Sequence, residues 1–232
     1  MKDVQQMEQE KRVLRWGGLA GMLGGCLFIL AIIVVSVFVP PEPADLAEWV
    51  ARFPDIHAIR VVENGTYLVA LLLEVPLFLA LYRALRKTNL AAALFGSVLG
   101  ILGLVAMVVS ATPHVAHAPL SELYHAPGAT PVDQATLAIM WQATWGVFDA
   151  PLYVGFFVVP IGLMLLGVAM FGAPAFGKGL GGVIVAFGAM GVAAAVLQMI
   201  DPAAMIGAGS YFACLISYCI LGWKLYTLSK EE

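Results

Sequence analysis

Apolar runs long enough to cross a lipid bilayer occupy most of this chain. A helix rises about 1.5 Å per residue, so about 20 apolar residues cross a hydrocarbon core of about 30 Å. The runs predict six transmembrane helices, at residues 17–39, 66–85, 90–112, 143–171, 180–200 and 203–225. The polar stretches between them fall far below the size of a soluble domain. We therefore expect one all-α membrane bundle over residues 1–232.

The composition supports this class and argues against others. Of the 232 residues, 61% are hydrophobic and 12% are charged, whereas soluble domains carry about 25% charged residues. The basic residues are scattered at helix ends, so we expect no nucleic-acid partner. The cysteines, Cys26, Cys214 and Cys219, fall inside apolar runs. This placement argues against a disulfide framework, and we interpret the cysteines as packing residues.

Positive charge predicts the orientation of the bundle. Only Arg52 and Arg60, out of 12 lysines and arginines, fall on the side opposite to the termini. The positive-inside rule then places both termini in the cytoplasm of a multi-pass protein of the cell membrane. The first run is longer than the apolar core of a signal peptide, which is about 7–15 residues, so we expect a retained helix.

A short amphipathic helix is predicted between the first two spans, at residues 44–53. Its large apolar residues share one face at helical spacing: Leu46, Trp49, Val50 and Phe53. Tryptophan is typical of membrane interfaces, so we expect the helix to lie flat on the outer surface. Docking against the bundle is the alternative. Pro54 would end this helix, and Asp55 would cap the next.

The second span carries the deepest acid of the chain, Glu74. An Asp at a helix centre costs about 2.5–3.5 kcal/mol on insertion scales, and an acid kept there usually faces the interior and serves a function. A stripe at three-and-four spacing leads down to it: His57, Arg60, Asn64, Tyr67, Leu71 and Glu74. We expect the stripe to face the interior, because lipid would leave its donors and acceptors unsatisfied.

The fourth span carries a similar stripe, which we also expect to face inward: Gln142, Trp145, Asp149 and Tyr153. Asp149, like Glu74, stands two residues before a proline, and a helix proline frees a carbonyl one turn earlier. Such a site is either a polar niche or merely a packed kink. Arg60 is the natural counter-ion for Asp149 or Glu63, and such a pair needs no ligand. Asp201 is interpreted as a turn residue.

All four histidines fall on the predicted outer side: His57, His114, His117 and His125. Three of them lie in a predicted loop over residues 113–131. With a carboxylate they offer ligands for zinc, copper or iron. Ordinary loop and interface histidines, or a pH sensor, are the alternatives.

Small residues predict close packing of helices, and a capping pattern predicts where one helix begins. Glycines four apart allow close helix approach, within the chain or in a homo-oligomer: Gly17, Gly21 and Gly25, and Gly96 and Gly100. Thr130 followed by Pro131 is typical of a helix start, so the fourth helix should begin outside the hydrocarbon.

Three segments resemble the prokaryotic six-span membrane family catalogued as domain of unknown function 4386. Glu74, with residues 79–82 and 85–89, is similar to that family's span-two acid, Leu-Tyr pair and basic turn. Residues 146–149 leading to 155–157 are similar to its span-four acid and Gly-aromatic segment. Asp201 is similar to its acid after span five. The resemblance extends over residues 14–225; it implies the six-span fold and no activity.

Three functions fit these patterns. The first is binding or transport through a polar pocket, with Glu74 as the deep acid that titrates or binds a cation, and with Asp149 and Arg60 at the mouth. The second is a membrane metalloenzyme that uses His57, His114, His117 and Asp149. The third is a structural subunit whose stripes pair with each other or with a partner helix. Familiar enzyme motifs, such as a phosphate loop or Gly-x-Ser-x-Gly, do not occur.

Overall fold

Helices make up the regular structure of the chain. The computed structural model describes residues 2–41, 43, 45–201 and 207–231. This described part forms eight α-helices: α1 Lys2–Phe38, α2 Leu46–Ala51, α3 Phe53–Leu85, α4 Leu90–Ser110, α5 His114–Tyr124, α6 Pro131–Met170, α7 Gly177–Ile200 and α8 Gly207–Leu228. The all-α prediction is confirmed.

Five stretches are long and apolar enough to cross a membrane: α1, α3, α4 continued by α5, α6, and α7. Their outer surfaces expose large apolar side chains, among them Leu72, Leu79 and Phe95. A soluble monomer rarely exposes so large an apolar surface. The chain is therefore a membrane protein. The predicted sixth span corresponds to α8, and residues 203–206 at its start lie outside the described residues.

The long helices form a closed ring. Around it, α1 packs against α3, α3 against α4, α4 against α6, α6 against α7, α7 against α8, and α8 against α1. Neighbours run antiparallel, since Gly17 of α1 lies beside Ala80 of α3 whereas Phe28 lies beside Tyr67. The helices α3, α6 and α8 also meet across the centre.

The two ends of the ring differ. One end, here called the basic end, carries the positive residues at the helix ends, such as Arg83, Lys87 and Lys178. Glu10 of α1 and Arg83 of α3 form an ion pair there. The other end, here called the α5 end, carries α2 and α5. Helices that alternate in direction bring the scattered basic residues of the sequence to one end.

Glycines set the distance between helices. A Cβ on Gly162 of α6 would come within 2.7 Å of the Gly96 oxygen and the Gly100 nitrogen of α4. A Cβ on Gly21 would meet Leu77 of α3 at 2.8 Å. Gly17 and Gly25 contact α3 and α8 in the same way. The glycines predicted for a homo-oligomer are therefore used within the chain, and association of chains stays a prediction that needs other surfaces.

The short helix α2 docks against the bundle, so our expectation of a helix lying flat on the surface is wrong. Val50 is fully buried at the α5 end in a small second core with Phe53, Leu120 and Trp141. Burial of these large side chains outweighs what the lipid interface offers, because each contributes about 1.5–3 kcal/mol.

Two helix starts near α2 also differ from prediction. The carboxylate of Asp45 accepts a hydrogen bond from the Ala47 N–H at 3.0 Å and caps α2. Pro54 does not end α2. It stands in the first turn of α3, where its missing N–H costs nothing, and Asp55 lies within that turn instead of capping it.

The predicted loop at residues 113–131 is largely the helix α5. Pro119 lies inside it and faces outward. The start of α6 is as predicted: the Thr130 hydroxyl accepts from the Asp133 N–H at 3.2 Å, and the Asp133 carboxylate accepts from the Thr130 N–H at 2.9 Å. This capping box begins α6 well before the apolar part of the helix.

Candidate functional site

A cavity of about 280 Å³ opens at the α5 end between α1, α3, α5 and α6. Its polar groups are Ser36, Glu63, Asn64, Tyr67 and His114. Its apolar wall is formed by Phe28, Ala31, Ile32, Val35, Phe148 and Leu152. An apolar cleft with a few convergent polar groups is the usual form of a small-molecule site. We call it the outer cavity.

The helix α3 supplies the central polar wall because most of its predicted stripe faces inward. His57 is exposed, so our expectation that it faces the interior is wrong. Asn64 and Tyr67, one turn apart, line the outer cavity as predicted. Asn64 and His114 also line a neighbouring cavity of about 350 Å³. Arg60 and His57 line this neighbouring cavity but not the outer one. The predicted stripe therefore divides between two adjacent cavities.

Arg60 pairs with Glu63, one of the two counter-ions that we considered. The Arg60 Nη1 and Glu63 Oε2 atoms are 3.4 Å apart, and both side chains are 16% exposed. Charge-assisted hydrogen bonds are usually about 2.7–2.9 Å long, so this pair is loose. The Arg60 guanidinium also lies 5.8 Å from the ring centroid of Trp145, within the range of a cation–π contact.

An aromatic pair forms the floor of the outer cavity. The rings of Phe28 and Tyr67 meet edge to face, with centroids 5.3 Å apart. The Tyr67 hydroxyl donates to the Met107 carbonyl at 3.4 Å, and the Ser110 hydroxyl donates to the same oxygen at 2.6 Å. The floor thus ties α1, α3 and α4 together at this level.

Glu74 lies beneath this floor in the interior of the bundle. It stands seven residues after Tyr67 on α3, about 10 Å along the axis. Its side chain is fully buried. Neither carboxylate oxygen has a hydrogen-bond partner among the described residues. The prediction that Glu74 faces the interior is confirmed.

Neighbouring helices shape the space around Glu74. A Cβ on Gly24 of α1 would collide with its carboxylate and would lie 3.0 Å from the Ala70 carbonyl. Cys214 and Tyr218 of α8 lie within electrostatic reach of Glu74. A glycine on α1 therefore leaves the room that a carboxylate needs at this depth.

The predicted stripe of α6 is only partly correct. Gln142 is exposed, so our expectation that it faces inward is wrong. Trp145, Asp149 and Tyr153 are half-buried, and Asp149 interacts electrostatically with Tyr153. The cavity wall of α6 comes instead from Phe148 and its neighbour one turn on, Leu152. No sequence pattern distinguishes these two residues, because the helix α6 is apolar on most faces.

The histidines do not converge on one point, although His114 and His117 are in ring contact. His117 is buried, stacks on Trp141 with centroids 4.1 Å apart, and its Nε2 lies 2.7 Å from the Thr144 hydroxyl. The His114 ring meets His117 edge-on at 5.3 Å. His125 is exposed, and its Nδ1 lies 2.8 Å from the Ser121 carbonyl.

These positions bear directly on the metal hypothesis. No group of three or more His, Cys, Asp or Glu side chains that could hold a metal ion occurs in the part of the chain that the structure describes. The zinc, copper or iron centre predicted from His57, His114, His117 and His125 is therefore not formed by the described residues. Stacking and hydrogen bonding within the protein account for His117.

Comparison with known proteins adds no relative: no family model, no curated protein and no solved structure matches this chain. The resemblance to domain of unknown function 4386 therefore stays a prediction. What can be inferred about function rests on the outer cavity and on Glu74.

Proposed function

We propose that this protein binds a small molecule in the outer cavity and carries a proton or a cation on Glu74, as a binding or transport protein of the membrane. The observation that carries this proposal is a buried carboxylate without a hydrogen-bond partner, directly below a cavity that ends on two aromatic rings. Arg60 and Asp149, which we expected at the mouth, are not among the lining residues of the outer cavity, and Arg60 lines the neighbouring cavity instead.

The cost of Glu74 supports the proposal. An ionised carboxylate buried without a partner costs several kcal/mol, roughly, even after local relaxation. Bound H⁺ or a bound cation removes that cost. Acids inside membrane bundles commonly mark proton relays or ion paths for this reason.

The aromatic floor of the outer cavity would have to move before an ion could pass from the cavity to Glu74. The rings of Phe28 and Tyr67 separate the cavity from Glu74. Exposed side chains change rotamer in picoseconds to nanoseconds, whereas packed rings on two helices move with those helices. A shift of α1 against α3 would open or close the path between the two sites.

A structural subunit is the second candidate, and one observation favours it. Arg60 pairs with Glu63, and Tyr67 donates to Met107, so parts of the stripe satisfy each other. This candidate accounts for the upper stripe but not for Glu74. A binding experiment separates the two candidates.

The proposed setting is the cell membrane, crossed six times, with both termini in the cytoplasm. The positive charges at the basic end support this orientation. The packing of α8 against α1 and α7 supports a sixth span, because α8 then completes the ring. The resemblance to domain of unknown function 4386 belongs to the same proposal.

Binding can be tested with the purified full chain. Thermal unfolding is measured with benzyltrimethylammonium, benzyl alcohol and phenylacetate, for the wild type and for Ala31→Phe, which fills the cavity. We expect at least one compound to raise the unfolding temperature of the wild type but not of Ala31→Phe. The control Ala186→Phe, on an exposed face of α7, should respond like the wild type. The proposal fails if no compound acts, or if Ala31→Phe responds equally.

Proton occupancy of Glu74 can be tested separately. Dicyclohexylcarbodiimide is apolar and reacts with protonated carboxyl groups, so it reaches acids within the bilayer. Mass spectrometry should find the adduct on Glu74 in the wild type and none at that position in Glu74→Gln. An unmodified Glu74 beside modified surface acids would contradict the proton-carrying role.

A further inference from the structure

We propose that the ligand of the outer cavity is a small organic cation, an ammonium head on an apolar body, with its head beside the Glu63 carboxylate. This inference rests on the proposed function and names the ligand class of the same site. It follows from the placement of one acid among three aromatic rings from three helices.

The charge of the outer cavity is the first reason. Glu63 is its acidic lining residue, and no described lining residue is a lysine or an arginine. Low-dielectric walls focus the field of the Glu63 carboxylate. The cavity therefore favours a positive ligand.

The loose partner of Glu63 is the second reason. Arg60 lies 3.4 Å away and keeps a second contact, with the ring of Trp145. Its side chain lines the neighbouring cavity and not the outer one. Arg60 can therefore remain on Trp145 while an incoming ammonium group takes its place beside Glu63.

The aromatic rings are the third reason. Phe28 of α1, Tyr67 of α3 and Phe148 of α6 line the cavity together with Glu63. Cations bind over aromatic faces within about 6 Å of the ring centre, and ammonium groups are commonly recognised this way. The aliphatic wall at Ile32 and Val35 suits an apolar body. At about 280 Å³ the cavity limits the ligand to a compact molecule.

The neighbouring cavity has the opposite character. It is lined by Arg60 with His57 and His117, and the described lining residues include no acid. An anion would be drawn there rather than into the outer cavity. Comparing a cation with an anion of similar size therefore tests the assignment directly.

The test measures dissociation constants for benzyltrimethylammonium, benzyl alcohol and phenylacetate, with the full chain in lipid nanodiscs. The fluorescence of Trp145 can report binding, because its ring lies 5.4 Å from that of Phe148. We expect the cation to bind at least about tenfold more tightly than the other two. Glu63→Gln should weaken only the cation, by at least about tenfold, and the exposed control Glu122→Gln should change nothing.

The variant Arg60→Gln distinguishes a binding site at Glu63 from an ion pair that serves only the structure. It removes the competitor of the ligand, so cation binding should tighten, whereas loss of a merely structural ion pair would weaken binding in both variants. The inference is overturned if Arg60→Gln weakens binding, or if the cation binds no better than benzyl alcohol. Preference for phenylacetate or benzyl alcohol, in binding that Ala31→Phe abolishes, would overturn the ligand class of the outer cavity and leave the proposed function standing. If none of the three compounds binds, this inference and the proposed function are both wrong.

Discussion

At Glu74, the carboxylate that the proposed function requires lowers the stability of the fold. Its carboxylate is fully buried, and no described residue offers it a hydrogen bond. Natural chains tolerate such a cost mainly at sites of function, where an optimised core residue would be more stable. A substitution that removes the carboxylate should therefore stabilise the fold while it removes the proposed activity.

Glu74→Met is the variant that separates the two effects. Methionine has a similar length and no polar group, so we expect a gain of about 1–3 kcal/mol, the usual cost of an unsatisfied buried polar group. The measurement is thermal or denaturant unfolding in detergent. Leu77→Met, fully buried on the same helix, is the control and should lose less than about 1.5 kcal/mol. A larger loss for Glu74→Met than for the control would mean that Glu74 serves the fold.

His117 represents the opposite case, a titratable residue held by the fold. Its ring stacks on Trp141 and faces the Thr144 hydroxyl. We expect His117→Ala to lose about 1–3 kcal/mol, because the substitution leaves a cavity and removes a hydrogen bond. His57→Ala, at an exposed position, should stay within about 0.5 kcal/mol of the wild type.

A chelator distinguishes this structural role from metal binding. If stacking and hydrogen bonding hold His117, then EDTA should leave the unfolding temperature of the wild type unchanged. A drop on chelation that is absent in His117→Ala would restore the metal hypothesis and would require the histidines to rearrange.

At the scale of the elements, sequence periodicity predicted the face of α3 better than that of α6. The α3 stripe is polar against an apolar background, so its spacing fixes which face turns inward. In α6 the cavity face is itself apolar, with Phe148 and Leu152 beside a half-buried Asp149. A helix of 40 residues that contacts several neighbours has no single inner face that a pattern could indicate.

The helix α5 shows a different limit of sequence reasoning. We predicted a loop because residues 113–131 are rich in proline and glycine, Pro119 among them, and proline interrupts helices. In the structure the proline is exposed within a short helix whose other side buries His117 and Leu120. Tertiary packing overrode the local preference, which no single-segment pattern can reveal.

The tight crossing of α4 and α6 predicts which glycines the fold requires. Gly162→Ala would place a methyl group 2.7 Å from backbone atoms of α4, which cannot move as a side chain can. We expect a loss of about 1–3 kcal/mol from overpacking. Gly146→Ala, on the same helix with nothing within 4 Å of the added group, should be neutral or stabilising.

Equal losses at the two glycines would contradict this assignment. They would show that glycine serves α6 through backbone flexibility and not through contact with α4. Unfolding of both variants in the same detergent, with helix content checked by circular dichroism, separates these explanations.

At the scale of the whole molecule, the ring explains why the long apolar helices are easier to predict from the sequence than the site. The length of an apolar run and the positive charges at its ends belong to one helix at a time, so the sequence shows them directly. The outer cavity forms only where α1, α3, α5 and α6 come together. Phe28 is an example, since nothing around it in the sequence distinguishes it from the lipid-facing residues of α1.

Single cysteines test the number of spans and the orientation together. In a background with Cys26, Cys214 and Cys219 replaced by alanine, one cysteine is placed at each of three positions near helix ends: the exposed Pro127 and Lys178, and the half-buried Ser229. A membrane-impermeant maleimide is applied to intact cells and to permeabilised cells. We expect Pro127→Cys to react in intact cells, and Lys178→Cys and Ser229→Cys to react only after permeabilisation.

The side of the membrane on which Ser229 lies distinguishes five spans from six. Lys178 begins α7 and Ser229 follows α8, so the two lie on one side only if both helices cross. The packing of α8 against α1, with Gly222 beside Gly18 and Cys219 beside Gly25, is the reason that we propose this crossing, because α1 is itself long and apolar enough to span the membrane. Labelling of Ser229→Cys but not Lys178→Cys in intact cells would therefore mean five spans. It would also contradict the closed ring, and with it the placement of Glu74 between α1 and α8.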